Sequence, residues 1–245
     1  MLLKHLYLLC FLLFLIFCIL SFYIQYNVIP EYNSDTTISV FMYVDDNLSK
    51  EFLKMINGIV LFKNIQDIFV IYTDKQPNFF HKKIKYRKCM NKEYNSFSRF
   101  FYLSETENEC ILLLSPYILP SERLMKKIIS KYDNDDKNYY GIMERSCSFK
   151  GYSNSPISNN IVLTNMLLSS KTILLKVFDE MKKDTINLKK KGMEDILFQF
   201  YFEKMFDKKP IYIKGNYQNF FPKKLFMKDF QLKNEYCKNL YNTLK

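Results

Sequence analysis

The sequence predicts an α/β domain built on a mainly parallel sheet, with a single apolar helix ahead of it. Three observations carry that expectation. Apolar runs of strand length alternate with stretches whose apolar residues recur at helical spacing, the pattern of a parallel sheet covered by helices on both faces. Hydrophobic residues make up 48% of the 245-residue chain and aromatics 17%, enough to fill a core and too many for a disordered chain. A charge-free segment of membrane-spanning length precedes the alternating part.

That segment reads LYLLCFLLFLIFCILSFYI from Leu6 to Ile24. At ~1.5 Å rise per residue it nearly crosses the ~30 Å hydrocarbon layer. Tyr7 at one end, and Phe22, Tyr23 and Tyr26 at the other, suit the two interfaces. Lys4 and the terminal amine keep the N-terminus cytosolic. The expected organisation is therefore a cytosolic tail (1–5), a transmembrane signal anchor (6–24), a stem (25–37) and a luminal domain (38–245). A cleaved signal peptide is the competing reading. The run exceeds the usual ~7–15 residue h-region, and no small-x-small site follows it.

Within the domain, Ile38–Tyr43 (ISVFMY) is a near-continuous apolar run leading into Val44-Asp45-Asp46, a buried strand that enters a loop. Ser49–Phe62 is helical, with Phe52, Leu53, Ile56, Ile59 and Val60 on one face. Strands follow at Asp67–Tyr72, Ile84–Arg87, Cys110–Leu114 and Tyr139–Met143, and another opens at Ile161–Leu163. Leu124, Ile128 and Ile129 mark a helix, as do Thr172–Met181 and Gly192–Phe206, and Ile211–Ile213 closes with a short strand. In such a sheet ligands gather at the carboxyl ends of the strands, here the loops after Tyr43, Tyr72 and Leu114. Glu144–Asn160 is polar and long enough for a substrate loop.

Composition excludes several classes. Five glycines and seven prolines argue against a Gly-rich dinucleotide loop and against low-complexity linkers. The net charge of +11 includes a cluster from Lys82 to Lys92 and the run Lys189–Lys191, surfaces that attract phosphate, acidic glycans or anionic lipid. The plain alternative is a lysine-rich solvated surface in a chain also rich in Asn, Ile, Tyr and Phe. No nucleic-acid motif is present. Cys89, Cys110, Cys147 and Cys237 belong to the domain and form no CxxC pair, so zinc is not expected and one or two bridges in unassigned pairing are.

Four collinear segments resemble the C-terminal catalytic domain of exostosin-like glycosyltransferases. They are Asn95–Phe100 (NSFSRF), Glu105–Leu124, Asn160–Leu174 (NIVLTNMLLSSKTIL) and Gly192–Lys214, which opens GMEDILFQF. The resemblance implies a GT-A, Rossmann-like fold for transferring sugar from a nucleotide diphosphate. It further implies a UDP-sugar donor, a glycan or glycoprotein acceptor, no nucleic-acid partner, a Golgi or endoplasmic reticulum lumen, and a Mn2+ ion. Such a cation sits on an Asp-x-Asp turn after a strand, because the leaving diphosphate needs hard positive charge beside it. Here Cys110–Leu114 runs instead into Ser115-Pro116-Tyr117, which offers no carboxylate. The expected metal ligands are missing, and Ser115 and Tyr117 remain as donor-side residues.

Asp133-Asn134-Asp135-Asp136 follows a helix and precedes a strand, so it belongs at the opposite edge as a solvated turn. By the same resemblance, Asp195 is the expected catalytic carboxylate, with Glu194 beside it. A first-turn acidic pair also suits any helix dipole. Asn95 and Arg99 correspond to residues around the nucleotide, and Asp45 matches the first nucleotide loop or caps the helix that begins near Ser49, while Tyr43 stacks on the base or is a buried strand-end aromatic. Arg99 reads equally as a rim residue over a core helix. The family's cysteine before the acidic pair is replaced by Met193, so its bridge to the Cys237 position is lost, and Asn234 replaces an arginine, with Lys233 adjacent. The implied function is a membrane-anchored sugar transferase using metal differently or not at all. The alternative is a catalytically inactive binding module of the same fold.

Overall fold

The computed structural model describes residues 11–18, 34–45, 50–148, 151–153, 160–183, 193–220 and 228–242. They divide into two units, split at Asn33 and Ser34. In the first, residues 11–18 are helical. The remainder of the expected anchor lies outside the described residues, and among those described no helix is long and apolar enough to cross a membrane. Asp46, Asn47, Ser49, the Lys189–Lys191 run and Gly192 also lie outside them.

The second unit is a Rossmann-like α/β domain. Its seven-stranded sheet has the order β11-β6-β10-β4-β1-β2-β3. β1 (Ile38–Val44) is central, parallel to β2 (Ile65–Tyr72) on one side and to β4 (Cys110–Leu114) on the other, and β3 (Ile84–Lys88) extends the parallel half to its edge. β1, β2 and β4 have the side-chain chemistry for double burial. β4 is buried throughout, and Phe41 of β1 stacks on its register partner Phe69 of β2 with ring centroids 4.4 Å apart. β1 contains one polar interior residue, Ser39, and it is satisfied. Its hydroxyl lies 2.6 Å from Thr106 Oγ1 and accepts from Asn108 Nδ2 at 2.9 Å.

β10 (Met166–Ser170) runs antiparallel to both β4 and β6 (Tyr139–Gly141), and β11 (Ile211–Tyr212) pairs parallel with β6. This corrects the sequence reading. The single strand expected to open at Ile161 is two strands in different sheets. β9 (Asn160–Val162) joins β7 (Glu144–Ser148) and β8 (Gly151–Ser153) in a small sheet, whereas Met166–Ser170 enters the main one. The described part of the expected substrate loop is thus mainly strands β7 and β8 of the small sheet, with 149–150 and 154–159 outside the described residues. β5 (Ile118–Pro120) and β12 (Tyr217–Asn219) form a further pair.

Helices α1 (Lys50–Ile59), α2 (Glu122–Asn134), α3 (Lys171–Met181), α4 (Glu194–Phe206) and α5 (Lys228–Asn242) complete the domain with a 3-10 segment, Lys92–Glu105. Ser121 and Ser170 cap α2 and α3, accepting from Leu124 N and Ile173 N. α4 is buried around most of its circumference, as its aromatic content requires. Phe198 and Phe202 pack edge-on against Tyr139 of β6, and Phe198 lies against Phe100 of the 3-10 segment. α5, which carries few apolar residues and was not expected, packs on β7 and β8.

Cys147 of β7 and Cys237 of α5 are bridged, with Cα atoms 5.6 Å apart. Cys237 therefore keeps a bridge, but to a partner other than the position now held by Met193. Cys89 and Cys110 are free and buried. Phe198 joins β6, α4 and the 3-10 segment, so Phe198→Ala is expected to lower stability by about 3–5 kcal/mol in chemical denaturation.

Candidate functional site

The carboxyl edge of the parallel strands collects most of the candidate residues. β1 and β4 remain paired up to Phe41 and Leu113, and Tyr43 and Ser115 each lie two residues beyond that pair. Ser115 N donates to Asn165 O at 2.7 Å, which joins the end of β4 to the start of β10. Thr164, one residue earlier, is buried and holds the cluster together. Its Oγ1 donates to Asp195 Oδ1 at 3.2 Å and accepts from Arg99 Nη2 at 3.1 Å, while its carbonyl accepts from Arg99 Nη1 at 3.2 Å. The loop after β4 and the acidic pair that opens α4 thus lie at one edge of the sheet.

Lys233, from the second turn of α5, donates to Asp195 Oδ2 at 2.8 Å, with side-chain exposures of 14% for the lysine and 4% for the aspartate. Its ammonium also lies 5.6 Å from the Tyr152 ring centroid. Burial alone pushes Lys233 down, but Asp195, with Tyr152 and Glu194 behind it, reverses this and holds the ammonium above its ordinary value. Burial pulls Arg99 down, partly offset by Glu194 and Asp195. Glu194 is raised, first by burial and then by Asp195, against the opposing pull of Lys233, Arg99 and a hydrogen bond with Ser96. Its Oε2 is buried without a hydrogen-bond partner.

Two backbone features deliver Lys233. The Cys147–Cys237 bridge fixes α5 on β7, and Asn234 Oδ1 accepts from Tyr152 N at 3.0 Å. That second contact needs Gly151, whose φ is +108° and where an added Cβ would lie 1.8 Å from Asn234 Oδ1. The residue standing at the arginine position of the resemblance therefore holds the hairpin, and its neighbour supplies the charge.

Arg99, Glu194, Asp195 and Ser115 come together. Arg99 is a buried residue and not a rim one, with Nε donating to Ser96 O at 3.1 Å besides its bonds to Thr164. Asn95 adjoins the cluster in sequence, at φ 43° and ψ −125°, but its amide turns back to Glu93 O at 3.0 Å. Tyr43, Asp45 and Tyr117 are half-buried at the same edge, and the Tyr117 carbonyl accepts from Phe220 N. Asp133 lies at the other edge, as expected, and accepts from Ser34 and Thr36 just before β1.

The residues present do not fit the divalent cation that the resemblance implies. Ser115-Pro116-Tyr117 provides no carboxylate, and Asp195 is already occupied by Lys233 and Thr164. Among the described residues no group of three or more His, Cys, Asp or Glu side chains is placed to hold a metal. Thr164 and Ser96 were missed as site residues although both lie inside segments carrying the resemblance.

No family model matches the chain, and no curated protein matches it. Among solved structures, the chain is similar to 4-diphosphocytidyl-2C-methyl-D-erythritol synthase from Anaerococcus prevotii DSM 20548. The TM-score is 0.55 at 14% identity, covering 82% of this chain and 96% of that one. The likeness is one of fold alone, a Rossmann-like α/β architecture with a mostly parallel central sheet. The exostosin family itself is not supported by these comparisons.

Two outcomes follow from the charge cluster. Lys233→Ala leaves the Asp195 charge buried and unpaired, and is expected to cost about 3–5 kcal/mol in denaturation experiments, much of it recovered in the double variant with Asp195→Asn. The folded protein holds a proton on Glu194 more tightly than the unfolded chain does. Glu194 therefore adds stability at acid pH, and that contribution is lost as pH rises through its raised value. Glu194→Gln should match or exceed the parent near neutrality, with the difference closing below about pH 4.

Proposed function

We propose that this chain is a glycosyltransferase-like protein that binds a UDP-sugar at the carboxyl edge of β1 and β4 and transfers the sugar to a glycan or glycoprotein acceptor. The observation that carries the reading is the placement of Glu194 and Asp195 beside the end of β4, joined to it through Thr164 and Asn165. A parallel sheet offers its ligand crevice at that edge. A carboxylate fixed there can stabilise positive charge developing at the anomeric carbon, and Thr164 and Lys233 hold Asp195 in one orientation for it. Tyr43, Asp45, Asn95, Ser115 and Tyr117 are the remaining donor-side candidates. No step is assigned to a metal. The exostosin-type resemblance supports the choice of sugar transfer, and the apolar run 6–24 supports a type II anchor in the Golgi or endoplasmic reticulum membrane.

One observation favours the non-catalytic module instead. Both oxygens of Asp195 already have partners within the chain, so a substrate meets a compensated carboxylate. The two readings separate by experiment. Titrating the full chain with UDP, UDP-sugars, and cytidine nucleotides (the solved neighbour is a diphosphocytidyl synthase) is expected to show UDP-sugar binding that survives a chelator. Asp195→Asn should retain that binding and, for an enzyme, lower transfer on the order of 10²-fold. Manganese-dependent binding would overturn the account of Ser115–Tyr117, and the absence of any nucleotide binding would overturn the donor site.

A further inference from the structure

At the amino edge of the sheet, the turn after α1 and the turn before β3 carry the two most exposed large apolar side chains among the domain's described residues, Leu61 at 79% and Phe80 at 78%. Lys83 ties these turns together, its Nζ donating to Val60 O at 2.9 Å and Phe62 O at 3.0 Å. Lys63 and Lys82 are exposed beside them, and Lys82 is close enough to help depress Lys83. Singly exposed apolar residues are ordinary on any surface. Here two share one corner with uncompensated lysines, whereas most of the basic residues farther along β3 are paired, Lys85 with Asp67 and Arg87 with Glu105.

The same corner is where the chain enters the domain. Asn64 Nδ2 donates to Ser34 O at 2.8 Å and to Thr36 O at 3.0 Å, so the entry strand is fastened to the turn that carries Leu61 and Lys63. Asp133 is occupied by Ser34 and Thr36, and Asp35 between them is the exposed acid of the entry segment. The apolar run ends at Ile24, and the ten residues from there to Ser34 span at most ~35 Å when fully extended. Only a short length of chain therefore separates the end of the apolar run from this corner.

We propose that this corner is a bilayer-contact surface, with Leu61 and Phe80 inserted among acyl chains and Lys63 and Lys82 set on anionic headgroups. An apolar wedge inside a basic rim is complementary to that interface, the apolar part gaining from burial and the lysines from the surface potential. The surface is remote from the donor site and independent of the transferase reading.

The chain contains no tryptophan, so Phe80→Trp and Met90→Trp each introduce a single fluorophore, at opposite ends of β3. Met90 is 70% exposed and is the control. The full chain is reconstituted in vesicles of phosphatidylcholine and phosphatidylserine, with and without brominated acyl chains. The expected result is a blue shift and bromine quenching for Phe80→Trp and neither for Met90→Trp, with the quenching lost when Lys63→Glu and Lys82→Glu are added. Equal quenching at the two positions, or none at either, overturns the proposal. A blue shift without quenching, the signature of a protein covering Phe80, overturns it too, and quenching unaffected by charge reversal removes the headgroup role. No nucleotide enters the measurement, so failure here is distinct from failure of the donor site.

Discussion

Asp195 is a carboxylate with 3% of its surface exposed, and a charge at that depth persists only where each oxygen finds a partner. Its partners come from separate parts of the chain. Thr164 lies between β9 and β10, and Lys233 comes from a helix about forty residues downstream. Thr164 in turn engages Arg99 of the 3-10 segment. Satisfying one charge therefore fixes the entry to β10, the face of the 3-10 segment and the seat of α5. The Cys147–Cys237 bridge, across a sequence separation of 90, holds the last of these where packing alone has little apolar surface to work with.

This arrangement bears on how the edge could handle a diphosphate. Arg99 and Lys233 lie close to the carboxyl ends of the strands, where cations would be wanted, yet both are committed to groups within the chain. Arg99 spends its donors on Ser96 and Thr164, and Lys233 on Asp195. An anionic ligand has to compete with those partners. Glu194 Oε2, without a hydrogen-bond partner among the described residues, is an acceptor suited to a hydroxyl. For the donor proposed above, the cluster is thus better matched to the sugar end than to the diphosphate.

Much of the parallel half was legible in the sequence. β1, β2 and β4 are short apolar runs rich in Ile, Val, Leu and Phe, and their burial on both faces leaves little else they could be. The amino-edge position of Asp133–Asp136 followed from helix-then-strand order alone. The antiparallel β10 was not legible, because MLLSS carries no mark of direction and the turn that sends Val162 and Met166 into different sheets is set by tertiary contacts. α5 was missed for a related reason. Its sequence is polar, and its place depends on a disulfide and a glycine contact rather than on an apolar stripe. The acidic pair was found by resemblance, whereas its partners depend on long-range geometry that no local pattern encodes.

Strand direction decides one further matter. In the parallel half every strand from β1 to β4 starts at the edge where Ser34 enters and ends at the edge where Ser115, Thr164 and Asp195 gather. β1 runs straight between them, so entry and candidate site occupy opposite ends of the same strand. The parallel sheet provides the separation because its ligand crevice always lies at the carboxyl ends.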